Sequence, residues 1–228
     1  MRKLMGWTKR QGHQQGFTMI ELMVSVAILT VVVGVVVEGL TKLMQRNTME
    51  TTKVDLTQES REFMDQIVND IHQAGYPSLK TFDPATKPLG YNDPGVATPG
   101  LVSATTSALQ FEGDVDGTGT VSEVFIQLIP AAGPCPCIIE RGAISKALWQ
   151  GGALPSYYTE VTNVNNTNIF QGYDNAGNNV ALVGAIPVGS ANLAAIEITL
   201  SVRATAPDSN GFFPIINMST SAKIHNWN

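Results

Sequence analysis

The run Phe17-Thr-Met-Ile-Glu-Leu-Met-Val-Ser-Val-Ala-Ile-Leu-Thr-Val-Val-Val-Gly-Val-Val-Val37 contains one charge, Glu21, and none from Leu22 to Val37. About 20 apolar residues in helical form cross a bilayer core, so this stretch is long enough to span one. In lipid every backbone polar group must be satisfied within the segment, which dictates helix in spite of the many valines. A carboxylate at membrane depth costs about 2.5 kcal/mol or more and normally has a partner. Glu21 is therefore the anomaly that a reading of this segment has to explain.

Charge is distributed to match. Residues 1–16 carry Arg2, Lys3, Lys9 and Arg10 and no acid, while the whole chain is −5, so the remainder carries −9. A basic head holds the N-terminal end of a membrane segment in the cytoplasm. A secretory signal peptide would end in a small-residue cleavage site, whereas here Val37-Glu38-Gly39-Leu40 follows, with no A-x-A pattern. A plain signal anchor leaves Glu21 unexplained. Cutting after Gly16 would create an α-amino group at Phe17, the nearest conceivable partner for that carboxylate. Glu21 also falls in the first turn of the resulting helix, where the macrodipole favours an acid.

Basic leader, Gly16, Phe17-Thr18-x-x-Glu21-Leu22 and an unbroken apolar helix resemble the type IV pilin and pseudopilin signature, a class III leader read by prepilin peptidase. The resemblance implies cleavage between Gly16 and Phe17, N-methylation of Phe17, and a role for Glu21 in assembly register through the amine of a neighbouring subunit. It implies as partners the prepilin peptidase, the inner-membrane assembly platform, other minor and major pilins, and membrane lipid before assembly. The expected location is the inner membrane, single-pass, N-terminus cytoplasmic and globular domain periplasmic, and then the filament.

Gly39, Lys42 and Arg46 mark the exit from the apolar stretch, and Glu38 and Lys42 have the favourable i, i+4 spacing. Helical periodicity then resumes. Leu56, Phe63, Ile67 and Ile71 form a stripe flanked by Met64, Val68 and Ala74, with Asp55, Glu59, Arg61, Glu62, Asp65, Asn69 and Gln73 opposite. Gly75 and Pro77 stop the helix. The expected organisation is a cleaved leader 1–16, a membrane and assembly helix 17–43, its amphipathic continuation 44–75, and a β-rich globular domain 76–228.

Within that domain, 76–103 reads as a long irregular connection. Ala108–Glu112 and Val121–Leu128 alternate around an Asp114–Gly119 turn and predict a hairpin. Cys137–Glu140 is a third strand. Residues 150–192 are Asn- and Gly-rich with scattered aromatics, read as core and loop packing. Leu193–Ala204 is an amphipathic strand, and Phe212–Ile224 an edge or terminal one. The expected fold class is α+β: a long N-terminal helix, transmembrane in its first half and amphipathic in its second, packed on an antiparallel sheet.

Arg61–Tyr76, the Gly113–Gly119 hairpin turn, Ile196–Val202 and the closing Thr220–Asn228 resemble segments of PilW-type minor pilins, although His225-Asn226 stands where that family commonly has Arg-Asn. The J-type pseudopilin of type II secretion has a similar layout. The resemblance implies a minor pilin that initiates or caps a type IV pilus. A type II secretion pseudopilin is the alternative, and an adhesin or calcium-binding tip module on a pilin stem is the alternative of another class.

No Gly-rich phosphate loop, G-x-S-x-G elbow or H-E-x-x-H helix is present, so no enzyme is expected and no catalytic residue assigned. The aromatics of 157–173 carry no interleaved Lys or Arg, and the acidic domain does not attract nucleic acid. No cofactor is expected. Asp114, Asp116 and Thr118 have the first spacings of a calcium loop, but the twelfth position is Phe125 rather than Glu, which leaves them weak metal candidates. Cys135-Pro-Cys137 is open to a small-ring disulfide, a metal half-site or two thiols, and no nearby Cys or His completes a zinc site.

Overall fold

A computed structural model describes residues 16–78, 93–97, 100–131, 134–185, 193–208 and 211–224. The basic leader residues Arg2, Lys3, Lys9 and Arg10, most of the 76–103 connection, and His225 to Asn228 lie outside the described residues. The chain divides into two compact units, Met1–Asn47 and Thr48–Asn228.

One helix, α1 (Met19–Gln73), runs unbroken through the apolar and amphipathic segments. In the first unit every described residue is exposed, including Phe17, Ile20, Leu29 and Val35. The helix is long and apolar enough to cross a membrane. Its hydroxyls are turned inward: Ser25 Oγ donates to Glu21 O, Thr30 Oγ1 to Val26 O and Thr41 Oγ1 to Val37 O, at 2.7–2.9 Å. Back-bonding of this kind removes polar groups from the helix surface, as a lipid environment requires. Lys42 Nζ meets Glu38 Oε1 at 2.7 Å.

In the second unit the continuation of α1 buries Leu56, Phe63, Met64, Ile67 and Ile71, the stripe expected from the 3.6-residue period. Gly75, at φ +79, ends the helix in the left-handed conformation that glycine adopts without a Cβ penalty, and its N–H donates to Glu112 O. The supposedly solvated face is not wholly so. Glu59 is half-buried and accepts from Thr162 N at 2.9 Å. Asp70, assigned to neither face, is buried.

The described residues form a ten-stranded antiparallel sheet: β1 (Leu101–Thr105), β2 (Ala108–Gly113), β3 (Ser122–Ile129), β4 (Cys137–Ser145), β5 (Ser156–Val164), β6 (Phe170–Tyr173), β7 (Asn179–Val180), β8 (Val183–Ala185), β9 (Ala195–Arg203) and β10 (Ile215–Lys223). A short helix, α2 (Lys146–Gln150), follows β4. The spatial order is β7-β6-β9-β5-β4-β3-β2-β1-β8, with β10 paired along β9. Phe111, Val124, Ile126, Leu128, Ile139 and Ile198 join the helix stripe in one core. The architecture is α+β, a long N-terminal apolar helix followed by an antiparallel sheet domain, consistent with the pilin fold.

The hairpin and the strands at 193–204 and 212–224 fall where the alternation puts them. The third strand reaches Ser145 rather than Glu140, and β1 occupies the end of the stretch read as irregular. The larger correction concerns 150–192, which supplies β5 to β8. Phe170 is buried there, but Tyr158 is 71 % exposed, so the aromatics are not all core. Short strands rich in Asn and Gly owe their order to non-local partners, β6 to β9 and β8 to β1, which local pattern does not reveal.

Candidate functional site

Gly16, Phe17 and Thr18 lie outside the helix and are exposed. A Cβ built on Gly16 meets nothing within 4 Å. Glu21 has a partner in the uncut chain. Its Oε2 accepts from both Thr18 N and Thr18 Oγ1 at 2.8 Å, and Glu21 N approaches Thr18 Oγ1 at 3.4 Å. This is a capping box: a Thr N-cap and a Glu at the third helical position satisfy each other's backbone donors. The T-x-x-E spacing at 18–21 was the available signal. The box starts α1 two residues after the Gly16–Phe17 bond and leaves that bond in non-helical backbone.

The turn between β2 and β3 carries the acidic metal candidates. Asp114 Oδ2 accepts from Gly119 N at 2.9 Å, and Asp116 Oδ1 accepts from Thr118 N at 3.1 Å and Thr118 Oγ1 at 2.7 Å. The Thr118 donors hold the Asp116 carboxyl below the usual carboxylate range. Among the described residues, no group of three or more His, Cys, Asp or Glu side chains is arranged to hold a metal ion.

Glu112 and Glu123 face each other across β2 and β3, both buried. Lys146, 2 % exposed, donates to Glu112 Oε2 and to Val96 O, each at 2.8 Å. Gln110 Nε2 donates to Glu123 Oε2 at 3.2 Å. Burial, and then the hydrogen bond and charge shared with Glu112, push the Glu123 carboxyl up to about 8. At neutral pH the pair therefore holds a proton between two carboxyls beside a lysine. Neither alternation nor spacing revealed this cluster, because α2 brings Lys146 to it only in the folded chain. Cys135 and Cys137 are joined by a disulfide, the first of the three states open to them.

Residues 12–37 match the family described as the prokaryotic N-terminal methylation motif. Comparison with the curated proteins and with the solved structures gives no match. The motif marks structural filament subunits rather than enzymes, and with the apolar helix it points to membrane anchoring and to processing by prepilin peptidase. The matched segment contains Gly16, Phe17, the Thr18–Glu21 capping box and the first part of the 55-residue helix α1, an antiparallel sheet domain follows, and together these support a type IV pilin- or pseudopilin-like protein.

Proposed function

We propose that this chain is a minor pilin that helps to initiate or cap a type IV pilus. The observation that carries the reading is the methylation motif at 12–37, with an exposed, non-helical Gly16–Phe17 bond and Glu21 in the first turn of an otherwise uncharged helical stretch. In this reading prepilin peptidase cuts after Gly16 on the cytoplasmic side, and Phe17 becomes the N-methylated N-terminus. The assembly platform withdraws the helix from lipid, and the apolar halves of neighbouring subunits pack together. Glu21 sets register, because only a neighbour positioned to bring its amine to the carboxylate avoids a buried unpaired charge. The acidic sheet domain stays on the periplasmic side until assembly. The likeness of Arg61–Tyr76 and the Gly113–Gly119 turn to PilW-type subunits favours an accessory role over the bulk building block.

N-terminal mass spectrometry of the protein from cells with and without the peptidase tests maturation. The expected product begins at methylated Phe17 only when the peptidase is present; an intact Gly16–Phe17 bond in both strains would overturn the reading. Deleting the gene is expected to reduce surface pili. Normal piliation with loss of secreted proteins would assign the chain to a type II secretion pseudopilus instead.

A further inference from the structure

We infer that the Asp114–Gly119 loop between β2 and β3 is a calcium site, with the carboxylates of Asp114 and Asp116 as its acidic ligands. The observation that points to a ligand is one atom. Asp114 is only 8 % exposed, its Oδ2 is taken by Gly119 N, and its Oδ1 is buried with no hydrogen-bond partner among the described residues. Buried carboxylate oxygens are ordinarily satisfied, because desolvation without a partner is expensive. A bound cation supplies what the protein does not.

The surroundings fit. Asp116 interacts directly with the Asp114 carboxylate, and Thr118 turns it back into the same loop. Two acceptor oxygens this close need a proton or a metal ion between them. Glu112 is paired with Lys146 and Glu123 holds a proton at neutral pH, so the net negative charge of the hairpin lies on Asp114 and Asp116. A negative excess of this kind draws a cation.

The donor chemistry selects the ion. The loop Asp114-Val-Asp-Gly-Thr-Gly119 offers oxygen ligands and no His or Cys. Calcium accepts six to eight oxygens in irregular geometry, whereas magnesium demands a near-ideal octahedron and gives up water reluctantly. The site is not an EF-hand, since Phe125 at the twelfth position lies within β3. Main-chain carbonyls of the loop and water must complete the shell. With two carboxylates, a Kd on the order of 0.1–1 mM is expected, the range of extracellular modules.

The test uses the full chain, purified in detergent, treated with a chelator and freed of it. Titration calorimetry with calcium chloride is expected to show one saturable site, and millimolar calcium, but not magnesium, should raise the melting temperature. Asp116→Asn, at an exposed position, should weaken binding at least about tenfold while the calcium-free melting temperature stays put, the loss of a charged ligand being worth about 1.4 kcal/mol or more. Asp114→Asn should abolish binding. The absence of both heat and melting shift in the unsubstituted protein would overturn the proposal, as would undiminished affinity in Asp116→Asn, which keeps the test decisive even if Asp114→Asn fails to fold.

Discussion

Arg141 Nε donates a 2.8 Å hydrogen bond to Asp70 Oδ2, tying β4 to the buried face of α1. Burial raises the Asp70 carboxyl and the guanidinium draws it back, with burial the larger effect. Glu160, also raised by burial, feels the same two charges. The pair fixes how the continuation of α1 sits on the sheet, through a charge that would otherwise be stranded in the core.

Removing one partner should therefore destabilise the domain more than removing both. Arg141→Ala is expected to cost about 3 kcal/mol, because it leaves Asp70 buried and unpaired. The double replacement Asp70→Leu with Arg141→Leu should recover much of that loss. Denaturant melts of the full chain in detergent, followed by the sheet signal in circular dichroism, provide the comparison.

Stability should fall with rising pH through the Glu123 cluster. The Glu123 carboxyl is raised from an ordinary 4.5 to about 8 in the folded chain, so the folded state holds the extra proton. Its contribution is fully present below about pH 4.5 and is lost as pH climbs to about 8. Glu123→Gln, which keeps the hydrogen-bonding shape without the acid, should flatten this part of the melting-temperature profile between those limits. A slope unchanged by the substitution would assign it to other groups, Asp70 among them, since that carboxyl is raised in the same sense.

Gly113 should not accept a side chain. A Cβ there would lie 2.7 Å from Gln73 O and 3.1 Å from Gln73 C, both rigid backbone at the end of α1, where Ala74 and Gly113 form a bridge. Gly113→Ala is expected to lose about 1–3 kcal/mol through this overlap. Gly117, in open space at φ +67, should lose only about 1 kcal/mol to backbone strain on the same change. Thermal melts of the two variants side by side distinguish overlap from strain.

At the N-terminus, the two roles open to Glu21 separate cleanly. Glu21→Gln retains an acceptor for the Thr18 donors and removes the charge, whereas Glu21→Ala removes both, at about 1 kcal/mol of helix capping. Both variants should be cut by the peptidase and both should assemble poorly, as read by immunoblot of sheared filaments. Normal assembly of Glu21→Gln alone would transfer the role from charge to capping. Gly16→Val, at a position where an added Cβ meets nothing within 4 Å, should melt normally and remain uncut by mass spectrometry.

The sequence by itself determined the parts whose signals are local. An apolar run broken only by Glu21, a second stripe from Leu56 to Ile71, and a Gly75 stop define a helix without reference to anything else, and alternation around the Asp114–Gly119 turn defines a hairpin. The leader-and-helix motif was legible for the same reason, since its chemistry depends on neighbours along the chain. The Thr18–Glu21 box is equally local, its T-x-x-E spacing lying within one helical turn. What the tertiary structure alone decided is long-range: β6 and β8 gain order from β9 and β1, Asp70 meets Arg141 where α1 packs on β4, and Glu112, Glu123 and Lys146 are buried together. No spacing rule encodes these, because a charge is exposed or desolvated according to what packs over it, and that is settled only when strands far apart in the chain meet.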